Sequence, residues 1–215
     1  MSPNTTAVVL IEFQNDFTTP GGSLHEAVRG VMQQTQMLPH TEELVRQARN
    51  HGTLIVHLPI SFTENYRELR PRPYGILKGV VDSNAFRQGS WGADIVDSLR
   101  PERNDIIIEG KRGLDGFVST NLDFVLRQRG ITHVALAGFL TNCCVESTMR
   151  TAYELGYTVY TLTDCTATVS EEEQRLACEK NFPMFSHPLT YLEFLEQLMA
   201  PAQAETVGAG RGYYG

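Results

Sequence analysis

The alternation of short apolar runs with segments of helical periodicity is the feature that most constrains the fold of this chain. The runs are rich in Val, Ile and Leu, and they lie at 6–11, 52–60, 105–110, 132–139 and 157–164. Runs of this kind are typical of strands that are buried on both faces of a parallel sheet.

Three segments between these runs have the spacing of amphipathic helices. Residues 39–52, 120–130 and 144–156 repeat apolar side chains at intervals of three and four, and each segment ends on a glycine. The repeated order of strand and helix predicts an α/β fold, a three-layer, doubly wound, Rossmann-like and mainly parallel sheet with helices on both faces. Ligands of such sheets bind at the carboxyl ends of the strands, so we expect a site there.

Length and charge exclude several classes of protein. The chain has 215 residues, 41% of them hydrophobic, and a net charge of -7 without a basic cluster, so neither nucleic acid nor a membrane is an expected partner. No apolar run approaches the roughly 18 residues that span a bilayer, and residues 1–15 lack the pattern of a secretory signal. We therefore expect a cytoplasmic protein whose four cysteines are reduced.

The chain is predicted to form one domain over residues 1–200, followed by a flexible tail over 201–215 whose tyrosine pair is a candidate for docking on a neighbouring subunit. The segment 61–97 is too long for an ordinary connection, which favours a substrate lid or a subunit contact. A surface excursion without a role is the alternative. We also expect a homo-oligomer, either a dimer or a tetramer.

Three chemically active residue types stand at the ends of predicted strands. Glu12 follows the first run, Lys111 follows the third, and Cys143 and Cys144 follow the fourth. The carboxyl ends of parallel strands lie at one edge of a sheet, so the fold can bring these side chains together. A carboxylate that accepts a proton, a cation and a helix N-terminus would activate a thiol. Taken singly, each residue is more ordinary: a cap, a surface lysine or a packed thiol.

At these residues the sequence resembles the isochorismatase-like cysteine hydrolase superfamily. The resemblance covers about residues 7–185 and rests on VVLIEFQNDF, IIIEGKRGLDGFVSTNLDFVL, AGFLTNCCVESTMRTAYELGY and VYTLTDCTAT, in this order. It implies a catalytic triad of Glu12, Lys111 and Cys144, in which Glu12 replaces the usual aspartate. It also implies a cis peptide between Phe139 and Leu140, and an oxyanion hole formed by the amides of Leu140 and Cys144.

The resemblance further implies a hydrolase that cleaves a C–N bond of a small amide or ureide through a cysteine thioester. Nicotinamidases of this superfamily bind a metal through an Asp-x-His pair and a later His, whereas VHLPISFTENY keeps only His57. We therefore predict no metal and no cofactor, and we interpret His57 as a packing residue or hydrogen-bond donor. The open alternatives are ether hydrolysis of the isochorismatase type and a non-catalytic binding descendant; an oxidoreductase is weaker, because no G-x-G-x-x-G follows the first run.

Several further side chains are candidates for shaping the pocket. Asn15, Asp16 and Phe17 follow Glu12 closely, and Asp16 is expected either to bond Lys111 or to cap a turn. The candidates for substrate contact are Phe17, Arg72, Tyr74, Arg112 and Phe117, with one of the two arginines receiving a substrate carboxylate.

Overall fold

A computed structural model describes residues 1–200 of the chain. Within these residues, six strands form one parallel sheet in the order β3-β2-β1-β4-β5-β6. The strands are β1 (Thr6–Ile11), β2 (Leu54–Leu58), β3 (Ile106–Ile107), β4 (His133–Phe139), β5 (Thr158–Ala167) and β6 (His187–Leu189). This sheet confirms the predicted doubly wound α/β fold. The strand order reverses between β1 and β4, which places a crevice at their carboxyl ends.

Eight α-helices accompany the sheet in this part of the chain. They are α1 (Asn15–Thr18), α2 (His25–Gln34), α3 (Met37–Asn50), α4 (Ile76–Asp82), α5 (Leu122–Gln128), α6 (Glu146–Glu154), α7 (Glu171–Leu176) and α8 (Tyr191–Met199). The sequence pattern predicts α3, α5 and α6 but not the others. None of these helices is long and apolar enough to cross a membrane. The predicted tail at 201–215 lies outside the described residues.

Strand β1 is buried on both faces and divides the core into two layers. Val8 and Leu10 belong to the apolar layer that contains residues of α2, α3 and α8. Ala7, Val9 and Ile11 belong to the opposite layer, which contains residues of α5 and α6. Burying a Val, Leu or Ile side chain contributes about 1.5–3 kcal/mol, so the apolar run itself specifies a central strand.

The third strand is shorter than the predicted run 105–110, and the difference positions Lys111. The amide of Ile108 still donates to the carbonyl of His57, at 2.8 Å, before the chain leaves the sheet. Gly110 then adopts a φ of 93°, and a Cβ there would lie 2.3 Å from the carbonyl oxygen of Ser119. A glycine is therefore required at this turn, directly before Lys111.

A glycine also shapes the end of β4. The pairing of β4 with β5 shifts register between Leu136 and Gly138. Gly138 has a φ of 132°, and a Cβ there would lie 2.0 Å from the carbonyl oxygen of Ile11. This close approach of β1 and β4 holds their carboxyl ends side by side. Beyond β4, residues Thr141–Val145 form a wider π-helical turn before α6 begins.

The segment 61–97 is tied to the sheet by buried polar side chains of the loop after β1. The side-chain amide of Gln14 donates to the backbone carbonyls of Ile60 (2.9 Å) and Ala93 (2.7 Å). The side-chain amide of Asn15 donates to the backbone carbonyl of Trp91 at 3.0 Å. These bonds satisfy buried polar groups on both sides, so the segment is an integral part of the fold.

Candidate active site

Glu12 leaves β1 in a left-handed conformation, with a φ of 59°. Its amide donates to the carbonyl of Leu58 in β2 at 3.1 Å, and the residue is only 2% exposed. A left-handed φ is uncommon for a residue with a side chain and costs on the order of 1 kcal/mol. The backbone therefore holds a carboxylate at the edge of the sheet, in a conformation that the surrounding structure must enforce.

Lys111 is completely buried and forms an ion pair with this carboxylate. Its Nζ lies 2.6 Å from Glu12 Oε1 and donates a second hydrogen bond, of 2.5 Å, to the carbonyl of Gly113. Burial alone lowers the pKa of Lys111, but the charge of the Glu12 carboxylate and its hydrogen bond counter it, and that pKa is raised. The structure thus brings the first two predicted residues together, and the longer glutamate side chain still reaches the lysine.

Cys144 lies in the turn between β4 and α6 and is 5% exposed. The Cys143 side chain, burial and the Glu12 carboxylate all raise the pKa of Cys144. This differs from the expectation that the helix N-terminus and Lys111 favour a thiolate, because burial and the neighbouring negative groups dominate over both. With its pKa raised, Cys144 carries a thiol, and its use as a nucleophile would require a base.

The turn that carries Cys144 is folded around Leu140. The predicted cis peptide between Phe139 and Leu140 is present. The carbonyl of Leu140 accepts hydrogen bonds from the amides of Cys143 (3.0 Å) and Val145 (3.2 Å). Within residues 1–200, the amide of Leu140 itself donates to no protein acceptor. That N–H is free to bond a ligand.

A cavity of about 140 Å³ opens beside these groups and is lined by Glu12, Leu140, Cys143 and Cys144. A cavity of about 150 Å³ is large enough to hold benzene, so this one admits a small molecule. A larger groove, of about 780 Å³, is lined by Arg49, Glu102 and Asp105 and contains none of the three predicted catalytic residues. We therefore regard the smaller cavity as the site.

Residues 6–192 match the family model described as the isochorismatase domain. This chain belongs to the isochorismatase family. A cysteine hydrolase from Pseudomonas syringae pv. phaseolicola has the same fold, with a TM-score of 0.78 and 22% identity over 92% of this chain and 93% of that one. An isochorismatase-like hydrolase from Alkaliphilus metalliredigens has a TM-score of 0.75 and 26% sequence identity, over 90% of this chain and 98% of that one. The pyrazinamidase of Pyrococcus horikoshii, in complex with zinc, has a TM-score of 0.69 and 25% sequence identity, over 86% of this chain and 99% of that one.

In this member of the isochorismatase family, only one of the five predicted substrate contacts lines the cavity. Phe17 lies in its wall and stacks on Phe139, with the ring centroids 4.8 Å apart. Tyr74 is 74% exposed, and Phe117 packs against Tyr157 in the second core layer. Neither of these two lines the cavity, because each belongs to another surface of the domain.

The two candidate arginines do not line the cavity either. Arg72 lies on the exposed surface of the segment 61–97. Arg112 follows Lys111 but points to a different set of partners: it pairs with Glu68 at 3.4 Å and donates to the hydroxyl of Ser61 at 3.2 Å. The expectation that an arginine receives a substrate carboxylate is therefore not supported by its placement.

Asp16 caps turns and does not bond Lys111. Its carboxylate accepts hydrogen bonds from the amides of Ser23 (3.0 Å) and Phe86 (2.7 Å). Of the two expected roles, the structure shows the second, because Lys111 is occupied by Glu12 and Gly113. Asp16 thus fixes Phe86, which lies in the cavity wall.

His57 is buried in β2, and its Nε2 lies 3.3 Å from Asp105 Oδ2. Burial lowers the pKa of His57 despite the neighbouring carboxylate. Residues 1–200 contain no group of three or more His, Cys, Asp or Glu side chains arranged to hold a metal ion. The donor set around His57 therefore does not fit a catalytic metal, and no step below uses one.

The sequence analysis missed most of the cavity wall. The wall includes Leu24, Ala27 and Val28 around α2, and Leu77 and Val80 of α4. Val28, Val31 and Met32 recur with helical spacing, so the sequence of α2 carries a signal for this wall. Leu77, Val80 and Val81 give α4 a shorter signal of the same kind.

Proposed function

We propose that this member of the isochorismatase family is a cysteine hydrolase that cleaves a C–N bond of a small amide or ureide through a thioester on Cys144. The observation that carries the proposal is the buried pair of Glu12 and Lys111, joined at 2.6 Å, whose carboxylate lines the same cavity as the Cys144 thiol. A buried ion pair contributes little to stability on net, so its retention beside a nucleophile favours a catalytic role.

The first half of the proposed reaction acylates the cysteine. Glu12 accepts the proton of the Cys144 thiol, and the sulfur attacks the substrate carbonyl carbon. The C–N bond then breaks, and Glu12 returns the proton to the departing nitrogen, which leaves as ammonia or an amine. A general base at this position is needed because the raised pKa of Cys144 keeps its thiol protonated at neutral pH.

The second half releases the acid. Water attacks the thioester carbonyl while Glu12 accepts one of its protons. The C–S bond breaks, the carboxylic or carbamic acid leaves, and the proton returns to the sulfur of Cys144. Lys111 stays protonated throughout and favours the ionised form of Glu12 before each step in which Glu12 accepts a proton.

The negative oxygen of each tetrahedral intermediate is assigned to the backbone amides of Leu140 and Cys144. The unbonded N–H of Leu140 at the cavity supports this assignment. Loss of one donor from an oxyanion hole typically costs about 10²–10³ in kcat, so these amides are a large part of the proposed rate enhancement.

The test is release of ammonia from a panel of small amides and ureides. Cys144→Ala should abolish release, whereas Cys178→Ala, which removes a half-buried thiol outside the cavity, should retain it. Equal activity of Cys144→Ala and the parent would refute the assignment of the nucleophile. No turnover of any amide or ureide, with tight binding of a metabolite, would favour the binding descendant.

Homo-oligomer formation and a cytoplasmic location remain predictions. Size-exclusion chromatography with light scattering tests the first, and fractionation of the source cells tests the second.

A further inference from the structure

We propose that the substrate of this site is a small, uncharged amide with an apolar body no larger than about a benzene ring. This inference rests on the proposed function, since it names the class of amide that the Cys144 site would take. The cavity itself carries it, through the chemistry of its walls, its size and the placement of the nearby cations.

The walls of the cavity are apolar beyond the catalytic groups. Phe17, Val28, Ile60, Leu77, Val80 and Phe86 contribute to the lining, and Ser83 supplies the single hydroxyl. Such a surface binds an apolar body by removing it from water, without a polar contact that would select a charged or hydroxylated one.

The cavity offers no cation to a substrate carboxylate. Among the described residues that line it, none is Lys, Arg or His, and Glu12 is the one charged side chain. Lys111 lies behind Glu12 and already bonds both that carboxylate and the carbonyl of Gly113. An anionic substrate would therefore lose its hydration and face a carboxylate, which is costly in a buried site.

The size of the cavity is set by elements that are fixed in place. Its volume is about 140 Å³, close to the roughly 150 Å³ cavity that holds benzene. The wall formed by α4 and Phe86 is held by the bond from the Phe86 amide to Asp16, at 2.7 Å. The limit on substrate size thus depends in part on the anchored segment 61–97, which supplies α4 and Phe86.

Matched pairs of amides test the inference. The neutral members are 3-methylbutanamide and 4-methylpentanamide, and the anionic members of matching size, in which a carboxylate replaces the isopropyl group, are malonamate and succinamate. We expect kcat/KM to be higher for the neutral members by at least about 100-fold, because the anion must be desolvated without a partner. Equal values within a pair would overturn the inference while leaving the proposed function intact.

A size variant tests which wall limits the substrate. Gly79 of α4 lines the cavity and has open space around a built Cβ, so Gly79→Leu narrows the cavity without a backbone clash. It should lower kcat/KM for benzamide more than for acetamide. Gly30→Leu is the matched control, since Gly30 is also helical with open space around it but lies away from the cavity. Equal loss for both amides in Gly79→Leu, or the same change in Gly30→Leu, would contradict the inference.

A charge variant tests the absence of a cation. Ser83→Lys adds one positive charge at the cavity and should raise kcat/KM for malonamate relative to 3-methylbutanamide by about tenfold. Asp82→Asn changes the net charge equally on the adjacent, exposed residue and should leave the ratio unchanged. The same ratio in both variants would count against a cavity that selects by charge.

Binding separates a failure of this inference from a failure of the proposed function. If no amide is turned over, calorimetry with the Cys144→Ala variant decides between them. Preferential binding of 3-methylbutanamide over malonamate would support the apolar site and refute the hydrolase proposal alone. Equal binding of the two, or binding of neither, would refute the apolar site.

Discussion

Two clusters of buried charge lie on the same parallel sheet, and they differ in how completely their carboxylates are bonded. The lysine pair consists of Glu12 and Lys111, which the proposed function places in catalysis. The arginine cluster consists of Arg49, His57 and Asp105. The carboxylate side chains of Glu12 and Asp105 are each only 3% exposed.

In the arginine cluster, the carboxylate of Asp105 is saturated. It accepts from Arg49 at 3.3 and 2.5 Å, from His57 Nε2 at 3.3 Å and from the amide of Glu102 at 2.9 Å. Burial raises the pKa of Asp105, but these donors, Arg49 foremost, outweigh it and leave the pKa lowered. A carboxylate held this firmly in its ionised form fixes structure and has no capacity left for proton transfer.

The lysine pair is unsaturated by comparison. Among residues 1–200, the side-chain carboxylate of Glu12 accepts one hydrogen bond, from Lys111 to Oε1 at 2.6 Å, and its Oε2 accepts none. The free oxygen belongs to a residue that lines the cavity. Burial and pairing are therefore common to both carboxylates, and what distinguishes Glu12 is an unbonded oxygen on a residue that shares a cavity with Cys144.

The largest expected effect is on catalysis. Glu12→Gln removes the base but keeps the shape of the side chain, so kcat/KM should fall by about 10²–10⁴. Asp105→Asn, the matched change in the arginine cluster, should leave kcat/KM close to that of the parent. Steady-state kinetics on any amide that the parent cleaves gives kcat/KM for both variants. An equal loss of kcat/KM in Glu12→Gln and Asp105→Asn would contradict the proposed difference between the two clusters.

The next effect is on stability. Lys111→Met leaves the Glu12 carboxylate buried without a partner, which should lower the free energy of unfolding by about 3–5 kcal/mol. Arg49→Met should cost less, because Asp105 keeps His57 and the Glu102 amide. Urea denaturation measures both variants. The double variant Glu12→Gln/Lys111→Met should regain part of the loss, and a double variant less stable than Lys111→Met would contradict this explanation.

The smallest effect is on the pH dependence of stability. Burial lowers the pKa of His57 below the reference value of about 6.5, so the unfolded state binds more protons as the pH falls through that value. The folded state therefore loses stability in acid, and His57→Gln should lose less between about pH 7 and 5.5. The raised pKa of Lys111 affects stability at alkaline pH. Its contribution to the free energy of unfolding is fully present below about pH 10.4 and is lost as the pH rises through the pKa of Lys111 in the folded state. Denaturation at several pH values checks both directions.

The three proposed catalytic residues were accessible from the sequence because each follows an apolar run at the end of a strand. In the structure, Glu12 and Lys111 are paired, and Cys144 shares the cavity with Glu12. Periodicity locates the strand ends that carry Glu12, Lys111 and the cysteine pair, since the carboxyl ends of parallel strands lie at one edge of the sheet. The choice of Cys144 over Cys143 rests on the family resemblance.

The walls of the cavity were not accessible in the same way. Val80 and Phe86 come from the irregular segment 61–97, whose placement depends on long-range bonds such as that from the Phe86 amide to Asp16. Composition favoured Arg72 and Arg112 as substrate contacts, but Arg112 pairs with Glu68 and Arg72 lies on the exposed surface. The raised pKa of Cys144 was also not accessible from the sequence, because burial and neighbouring charge are set by the tertiary structure.

The central claim is that Cys144 carries the acyl group of the substrate. Mass spectrometry of acid-quenched reactions with an amide that releases ammonia tests it most directly, with peptide fragmentation to separate Cys144 from Cys143. The mechanism predicts an adduct with the mass of the acyl group on Cys144 in the parent and in Cys178→Ala, and none in Cys144→Ala. An adduct on Cys143, or undiminished ammonia release by Cys144→Ala, would contradict it.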